Sequence, residues 1–178
     1  MIKPFIIAAV TADGFIAKDE SHAAMWTSKD DKKRFVELTK RAGVVIMGST
    51  TYKTLPRPLK DRVNVVYTRS AKSHEPIKAT DIAGSLEYTD ADPKTLLDDL
   101  ESRGFKEAAI CGGAQIYTSF LKAKLVDKIY LSIEPVIFGK GITLFKEELQ
   151  FHLKLIDAKA SESGSLLLEY KVEYHGNM

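Results

Sequence analysis

Short apolar runs alternate with helical segments along this chain, and this order restricts the fold more than any other feature. The runs lie at residues 5–10, 44–47, 63–67, 108–111 and 129–137. Each is bounded by turn-forming or polar residues, which predicts buried strands. The helical segments lie at residues 29–42, 49–55, 93–103 and 114–122. Such alternation predicts an α/β fold with a mostly parallel, twisted central sheet and flanking helices.

The end of the chain follows a different pattern. Residues 152–158 and 166–174 alternate apolar and polar side chains, and the stretch 161–165 between them contains Gly164. These features predict a hairpin, so we expect an antiparallel C-terminal edge on the sheet. Residues 72–92 are polar and irregular, which predicts a surface connection with one short strand near residues 86–88.

Length and charge exclude several classes of protein. A chain of 178 residues favours one domain, here residues 1–178. Its 26 Lys and Arg residues nearly balance its 24 Asp and Glu residues, which argues against a nucleic-acid partner. The first apolar run is too short to span a membrane, and it lacks a signal-peptide cleavage pattern. We therefore expect a cytoplasmic protein that has no membrane partner.

The sequence also argues against a metal site. A single cysteine, Cys111, excludes an internal disulfide and a multi-cysteine zinc site. At the end of a strand, it is more simply a small buried residue than a nucleophile. The four histidines show no metal-ligand spacing, so we expect no bound metal. They are His22, His74, His152 and His175.

One acidic residue lies on the apolar face of a predicted helix. At ~100° per residue, Asp31, Phe35, Leu38 and Ala42 fall on one stripe. A carboxylate there is unfavourable without a partner, and it suits paired hydrogen bonds to a flat nitrogen heterocycle, or acid chemistry. Ser28 is a good N-cap three residues earlier, so Asp31 can also complete a capping box. Both roles stay open at this point.

Two junctions share the pattern of apolar strand, glycine and helix. Glycine lets the backbone approach a ligand closely, and a helix N-terminus favours phosphate. Neither junction has the G-x-G-x-x-G fingerprint of the common dinucleotide fold. Two of them in one small domain nevertheless indicate a nucleotide across the sheet edge. Their residues are Gly48, Ser49, Thr50 and Thr51 in the first, and Gly112, Gly113, Ala114, Gln115, Ile116 and Tyr117 in the second.

Basic residues flank the predicted strand at 63–67. Arg57, Lys60 and Arg62 precede it, and Arg69 follows it. Guanidinium groups suit carboxylates and phosphates, but these residues alone are most simply a solvated loop.

Together these segments resemble dihydrofolate reductase. The run Val45-Ile46-Met47-Gly48, then Thr51-Tyr52, then Arg57 through Arg69, follows that family's order and spacing. So do the segment around Trp26 and the run from Cys111 to Tyr117, and the match extends from about residue 6 to residue 145. The resemblance implies NADPH as cofactor and dihydrofolate as the small-molecule substrate. Hydride transfer would yield tetrahydrofolate, for one-carbon metabolism.

The resemblance also implies residue roles. Asp31 and Trp26 would be catalytic, with Asp31 holding the pterin and Trp26 ending a mobile loop. Arg62 would bind a glutamate carboxylate, Arg69 would favour NADPH through its 2′-phosphate, and a cis peptide would join Gly112 and Gly113. The implied substrate-binding residues are Ile7, Ala9, Asp31, Phe35, Arg62, Cys111, Tyr117 and Ser132. The implied cofactor-binding residues are Ala9, Ile16, Gly48, Ser49, Thr50, Thr51, Thr68, Arg69, Ser70, Gly112, Gly113, Ala114, Gln115 and Ile116.

Other residues resemble the reductase domain of riboflavin biosynthesis, a relative with the same fold. They are Leu125-Val126-Asp127 and the run from Pro135 to Gly141. One alternative is therefore hydride transfer to a ribosylaminopyrimidine phosphate, a substrate that does not need Arg62 as a carboxylate clamp. Another is a non-catalytic protein that binds a nucleotide or pterin. The sequence is compatible with a monomer or a homodimer.

Overall fold

The computed structural model describes residues 1–174, and most of its strands form one eight-stranded sheet. The strands are β1 Lys3–Thr11, β2 Phe15–Ala17, β3 Val44–Gly48, β4 Val63–Tyr67, β5 Ser85–Thr89, β6 Glu107–Ile110, β7 Lys128–Glu134, β8 Ile142–Thr143, β9 His152–Ala160 and β10 Leu166–Glu173. The α-helices are α1 Lys29–Ala42, α2 Ser49–Tyr52, α3 Pro93–Ser102 and α4 Ala114–Lys122. Short 3₁₀ helices cover Ala24–Trp26 and Ala71–Ser73.

The sheet has the strand order β5-β4-β3-β6-β1-β7-β10-β9. Its first six strands pair in parallel, and β10 pairs antiparallel with both β7 and β9. The predicted α/β fold with an antiparallel C-terminal edge is therefore confirmed. Because neighbouring parallel strands end at the same edge, the carboxyl ends of β1, β3, β4 and β6 lie side by side.

Each face of the sheet has its own apolar core. Alternate residues of β1 divide between the two cores, as the period of two in a strand requires. Ile6 packs with Phe120 of α4 and with leucines of α3, whereas Phe5 and Ile7 pack with Ala42 of α1. Helix α1 therefore covers one face, and α3 and α4 cover the other.

Most predicted elements agree with the structure to within two residues at each end, but two of them were predicted to extend three residues beyond the observed end. The predicted strand 129–137 ends at Glu134, because Pro135 has no amide hydrogen for a ladder bond. The predicted helix 49–55 is a single turn, Ser49–Tyr52, and Pro56 follows soon afterwards. Strands β2 and β8 are too short to give a periodic signal.

Gly84 lies in the predicted surface connection, yet it is buried against the start of β4. A Cβ atom at this position would lie 2.1 Å from the carbonyl oxygen of Arg62 and 2.2 Å from that of Leu59. Asn64, which is fully buried, donates its amide hydrogens to the carbonyls of Leu59, Arg62 and Ser85. The segment before β5 is therefore held tightly against the sheet.

We predict that Gly84→Ala lowers the free energy of unfolding by about 3 kcal/mol, because the added methyl group meets rigid backbone atoms. Urea denaturation measures the change. Gly104→Ala is the matched control, since Gly104 has a φ of +94° but open space around it. Its expected loss is about 1 kcal/mol, and equal losses for the two variants would contradict the packing argument.

Candidate active site

A cavity of about 610 Å³ opens at the carboxyl ends of β1, β3, β4 and β6. Both glycine junctions, the first turn of α1 and the loop before α1 line it. Three residues that the resemblance implied lie outside this lining: Arg62, Ser70 and Ser132. The implied residues that do line it are Ile7, Ala9, Ile16, Trp26, Asp31, Phe35, Gly48, Ser49, Thr50, Thr51, Thr68, Arg69, Cys111, Gly112, Gly113, Ala114, Gln115, Ile116 and Tyr117.

Asp31 lies in the first turn of α1 at the wall of the cavity and is 8% exposed. Its backbone N–H donates to the Oγ atom of Ser28 at 3.1 Å, which confirms Ser28 as the N-cap. Within residues 1–174, no hydrogen-bond donor reaches the Asp31 carboxylate. Arg34 attracts it electrostatically, but donates its hydrogen bonds to the carbonyls of Leu131 and Leu168. The carboxylate therefore keeps its acceptors for a group inside the cavity.

The capping box suggested for Asp31 is wrong, because Glu134 at the end of β7 takes that place. The N–H of Ser28 donates to Oε2 of Glu134 at 3.1 Å, and the Ser28 hydroxyl donates to Oε1 at 3.0 Å. The Ser165 hydroxyl donates to Oε2 at 2.8 Å. Three neutral donors and the positive end of α1 thus stabilise a carboxylate that is 2% exposed.

Sequence reasoning missed Glu134 completely. The sequence analysis placed Glu134 inside the predicted strand 129–137 and gave it no partner, and Ser28 lies 106 residues away. The apolar run around Glu134 gave no sign that this side chain binds the start of α1.

Trp26 lies in the segment just before α1 and lines the cavity. Its ring packs edge-on against Phe138, with ring centroids 5.0 Å apart. The Asp13 carboxylate accepts hydrogen bonds from the N–H groups of Phe138 at 3.2 Å and Gly139 at 2.7 Å, which links the loops on either side. The Nε1 atom of Trp26 is buried and has no acceptor among residues 1–174. This N–H is therefore a donor left without an acceptor by the described residues, on a side chain that lines the cavity.

The two glycine junctions are joined to each other. The N–H of Gly48 donates to the carbonyl oxygen of Gly112 at 2.8 Å. The peptide between Gly112 and Gly113 is cis, as the resemblance implied. A Cβ atom on Gly112 would lie 3.1 Å from the Tyr117 hydroxyl, and one on Gly113 would lie 3.2 Å from Oγ1 of Thr51. Side chains at these positions would therefore crowd the cavity wall.

Basic and hydroxyl side chains lie at the other end of the cavity, after β4. Thr68 and Arg69 line it, and Arg69 is exposed and forms no ion pair with any residue of the described chain. Ser70 lies just outside, with its Oγ atom 3.2 Å from Oγ1 of Thr68. Tyr67, which the sequence analysis did not select, lines the same end.

Arg62 and Ser132 lie away from the cavity lining. Arg62 is buried, and it donates hydrogen bonds to Oγ1 of Thr39 and to the carbonyl oxygen of Lys60, both at 2.8 Å. It is therefore not the solvated loop residue that local sequence suggested. Ser132 is buried within β7, beside Ala9 of β1.

Within residues 1–174, no group of three His, Cys, Asp or Glu side chains could hold a metal ion, and His175 lies outside the described residues. None of the helices in this part of the chain is long and apolar enough to cross a membrane.

The sequence pattern of the RibD C-terminal domain matches residues 4–167. This chain belongs to the RibD C-terminal domain family. The resemblance of residues 125–127 and 135–141 to the reductase domain of riboflavin biosynthesis therefore reflects membership of this family. Similarity to dihydrofolate reductase type 8 of Escherichia coli is more limited in extent, at 36% identity over 118 residues, or 66% of each chain.

Solved structures share the fold at low sequence identity. A protein of Shewanella sp. PV-4 named for riboflavin biosynthesis has a TM-score of 0.79 and 21% identity, and the match covers 97% of this chain and 99% of that one. The diaminohydroxyphosphoribosylaminopyrimidine deaminase/5-amino-6-(5-phosphoribosylamino)uracil reductase of Thermotoga maritima has a TM-score of 0.77 and 18% identity. That match covers 96% of this chain and 56% of the Thermotoga protein.

We predict that Cys111 is unreactive in the folded protein. Burial raises the pKa of its thiol to about 12, so the nucleophilic thiolate is scarce near neutral pH. Iodoacetamide at about pH 8 should leave the native protein unmodified over a period that fully alkylates the urea-unfolded chain. Mass spectrometry measures the modification, and rapid alkylation of the native protein would contradict this prediction.

We predict that Glu134→Ala lowers the free energy of unfolding by about 3 kcal/mol, because it leaves the donors of half-buried Ser28 and buried Ser165 unpaired. Hydrogen exchange at the Asp31 amide should also become faster. Ser165→Ala removes a single hydrogen bond and serves as the control, with an expected loss of about 1 kcal/mol. Unchanged exchange at Asp31 in the Glu134 variant would show that Ser28 is held in another way.

Proposed function

We propose that this protein is an NADPH-dependent reductase that transfers hydride to a ribosylaminopyrimidine phosphate. The observation that carries the proposal is the buried Asp31 carboxylate, which no donor within residues 1–174 reaches and which lies in the same cavity as both glycine junctions. A buried carboxylate whose acceptors are available can bind a flat nitrogen-containing ring that presents two adjacent N–H donors. The two strand-to-helix junctions suit a dinucleotide beside that ring.

The residues present fit NADPH. Gly112 and Gly113 leave open a part of the wall that Cβ atoms would crowd, so a pyrophosphate can approach the backbone at the start of α4. Arg69, whose guanidinium forms no ion pair in the described part of the chain, is available for a 2′-phosphate. Ala9 and Ile16 would line the nicotinamide region. NADPH supplies the hydride when it is bound.

The protein's own residues would bind and orient the acceptor. Asp31 would accept hydrogen bonds from the pyrimidine ring edge, Phe35 would pack on its face, and the Trp26 N–H would donate to a ring or water oxygen. In its open-chain imine form, a ribosylamine has a C=N carbon that takes the hydride, and the nitrogen gains a proton from water. The cavity walls would hold the reactants in contact and exclude bulk solvent.

Two observations favour this substrate over dihydrofolate. The family pattern covers nearly the whole described chain, and one structural relative is named for a phosphoribosylamino substrate. Arg62, the residue expected to clamp a glutamate carboxylate, instead donates to Thr39 and Lys60 away from the cavity lining. A ribosylaminopyrimidine phosphate does not need that clamp.

Dihydrofolate is the second candidate, because an aspartate on the apolar face of α1 suits the ring N–H and amino group of a pterin equally well. The relative of 36% identity, a dihydrofolate reductase, supports it. Both substrates present a C=N bond to the hydride donor, so one assay compares them.

The decisive experiment follows NADPH absorbance with 5-amino-6-(ribosylamino)uracil phosphate, with dihydrofolate, or with neither. We expect oxidation to depend on the pyrimidine phosphate, with dihydrofolate at least tenfold slower. Faster turnover of dihydrofolate would favour the second candidate. NADPH binding without oxidation by either compound would indicate a non-catalytic binding protein.

We predict that Asp31→Asn lowers kcat at least 100-fold, because an amide presents only one acceptor to the paired ring donors. The affinity for NADPH should change less than twofold. Asp30→Asn is the matched control, since Asp30 lies on the adjacent position and its carboxylate accepts a hydrogen bond from Ser163 outside the cavity. Full activity of the Asp31 variant would remove that residue from the site.

A further inference from the structure

Tyr67 is the last residue of β4 and carries a buried hydroxyl that nothing in residues 1–174 satisfies. The side chain lines the cavity, and its ring packs edge-on against Phe120 of α4, with centroids 6.1 Å apart. In the sheet, Tyr67 pairs with Gly48, which immediately precedes α2. Buried tyrosine hydroxyls normally find a partner, so this one is expected to bind something that enters the cavity.

The position of Tyr67 indicates which end of a ligand it would meet. Strands β3 and β6 separate β4 from β1, and at ordinary strand spacing this places β4 about 14 Å from β1. Asp31, where the substrate ring would bind, lies in the first turn of α1, whose N-cap Ser28 binds Glu134 at the end of β7, the strand next to β1. Tyr67 instead precedes Thr68 and Arg69, at the opposite end of the cavity.

We propose that the Tyr67 hydroxyl binds the adenosine half of the cofactor by donating a hydrogen bond to a ribose or phosphate oxygen. This inference rests on the proposed function, because it assumes that the cavity holds NADPH. It adds to the proposed cofactor site a residue that belongs to neither glycine junction and precedes Thr68 and Arg69. It also gives a reason for a tyrosine at the end of β4 whose buried hydroxyl has no partner within residues 1–174.

The electrostatic surroundings suit a donor. Burial raises the pKa of Tyr67 well above its ordinary value, and the negative charge of Asp92 acts in the same direction. The hydroxyl therefore stays protonated and neutral at physiological pH, which lets it approach an anionic phosphate. In the ligand-free protein the Tyr67 hydroxyl has no hydrogen-bond partner within residues 1–174, and a bound nucleotide would supply one. Removing the hydroxyl should therefore weaken nucleotide binding without lowering the stability of the ligand-free protein.

Tyr67→Phe tests the inference, because it removes the hydroxyl and leaves the ring. Isothermal titration calorimetry would measure binding of NADPH and of 2′,5′-ADP, which has the adenosine half alone. We expect both dissociation constants to rise about five- to twentyfold. The melting temperature of the ligand-free variant should equal or exceed that of the wild type. Tyr52→Phe, whose ring lies outside the cavity lining, is the control and should bind both ligands within twofold of the wild type.

Each outcome decides the matter. Equal affinities for wild type and Tyr67→Phe would overturn this inference and leave the proposed function intact. A weakened affinity for NADPH alone would place the hydroxyl at the nicotinamide half and overturn the assignment to adenosine. A lower melting temperature of the free variant would show that the hydroxyl already has a protein partner, and would also overturn it. Absence of NADPH binding by the wild type would overturn the proposed function together with the inference.

Discussion

The candidate site depends on the hydrogen bonds that the buried Glu134 carboxylate accepts from Ser28 and Ser165. The start of a helix has unpaired N–H groups, and an aspartate in its first turn readily turns back to satisfy them. In this protein Glu134 accepts the Ser28 N–H and hydroxyl from across the fold. Asp31 is thereby spared from capping, although it is in the position that a capping box would use. A carboxylate from β7 makes the carboxylate of α1 available to a ligand.

That arrangement joins three distant parts of the chain at one point. Glu134 ends β7, Ser28 caps the start of α1, and Ser165 directly precedes the last strand, β10. The antiparallel C-terminal edge is thus more than an extension of the sheet, because its hairpin contributes a donor to the support of Asp31. The parallel strands contribute the other requirement, since their carboxyl ends bring Asp31, the glycine junctions and Arg69 to one continuous cavity.

Features that depend on near neighbours were predictable. The helix Lys29–Ala42, the strand Val63–Tyr67 and the inward stripe of Asp31 follow from periodicity over a few residues. Features that depend on distant partners were not. Arg62 looked like a solvated residue because its partner Thr39 lies 23 positions earlier, and Gly84 looked like a loop glycine because the carbonyls packed on it belong to another segment. The orphaned hydroxyl of Tyr67 has no sequence signal, since any tyrosine at a strand end looks the same.

The sequence by itself determined the α/β class, the order of strands and helices, the glycine junctions and the helix on which the candidate catalytic carboxylate lies, because each of these follows from local periodicity and backbone freedom. Only the tertiary structure decided that Glu134 takes over the capping of α1, that Arg62 lies outside the cavity lining and that the buried hydroxyl of Tyr67 has no partner within residues 1–174. Hydrogen bonds of buried polar groups are satisfied across the fold, between residues far apart in the chain, so their partners become known only when the strands and helices are packed together.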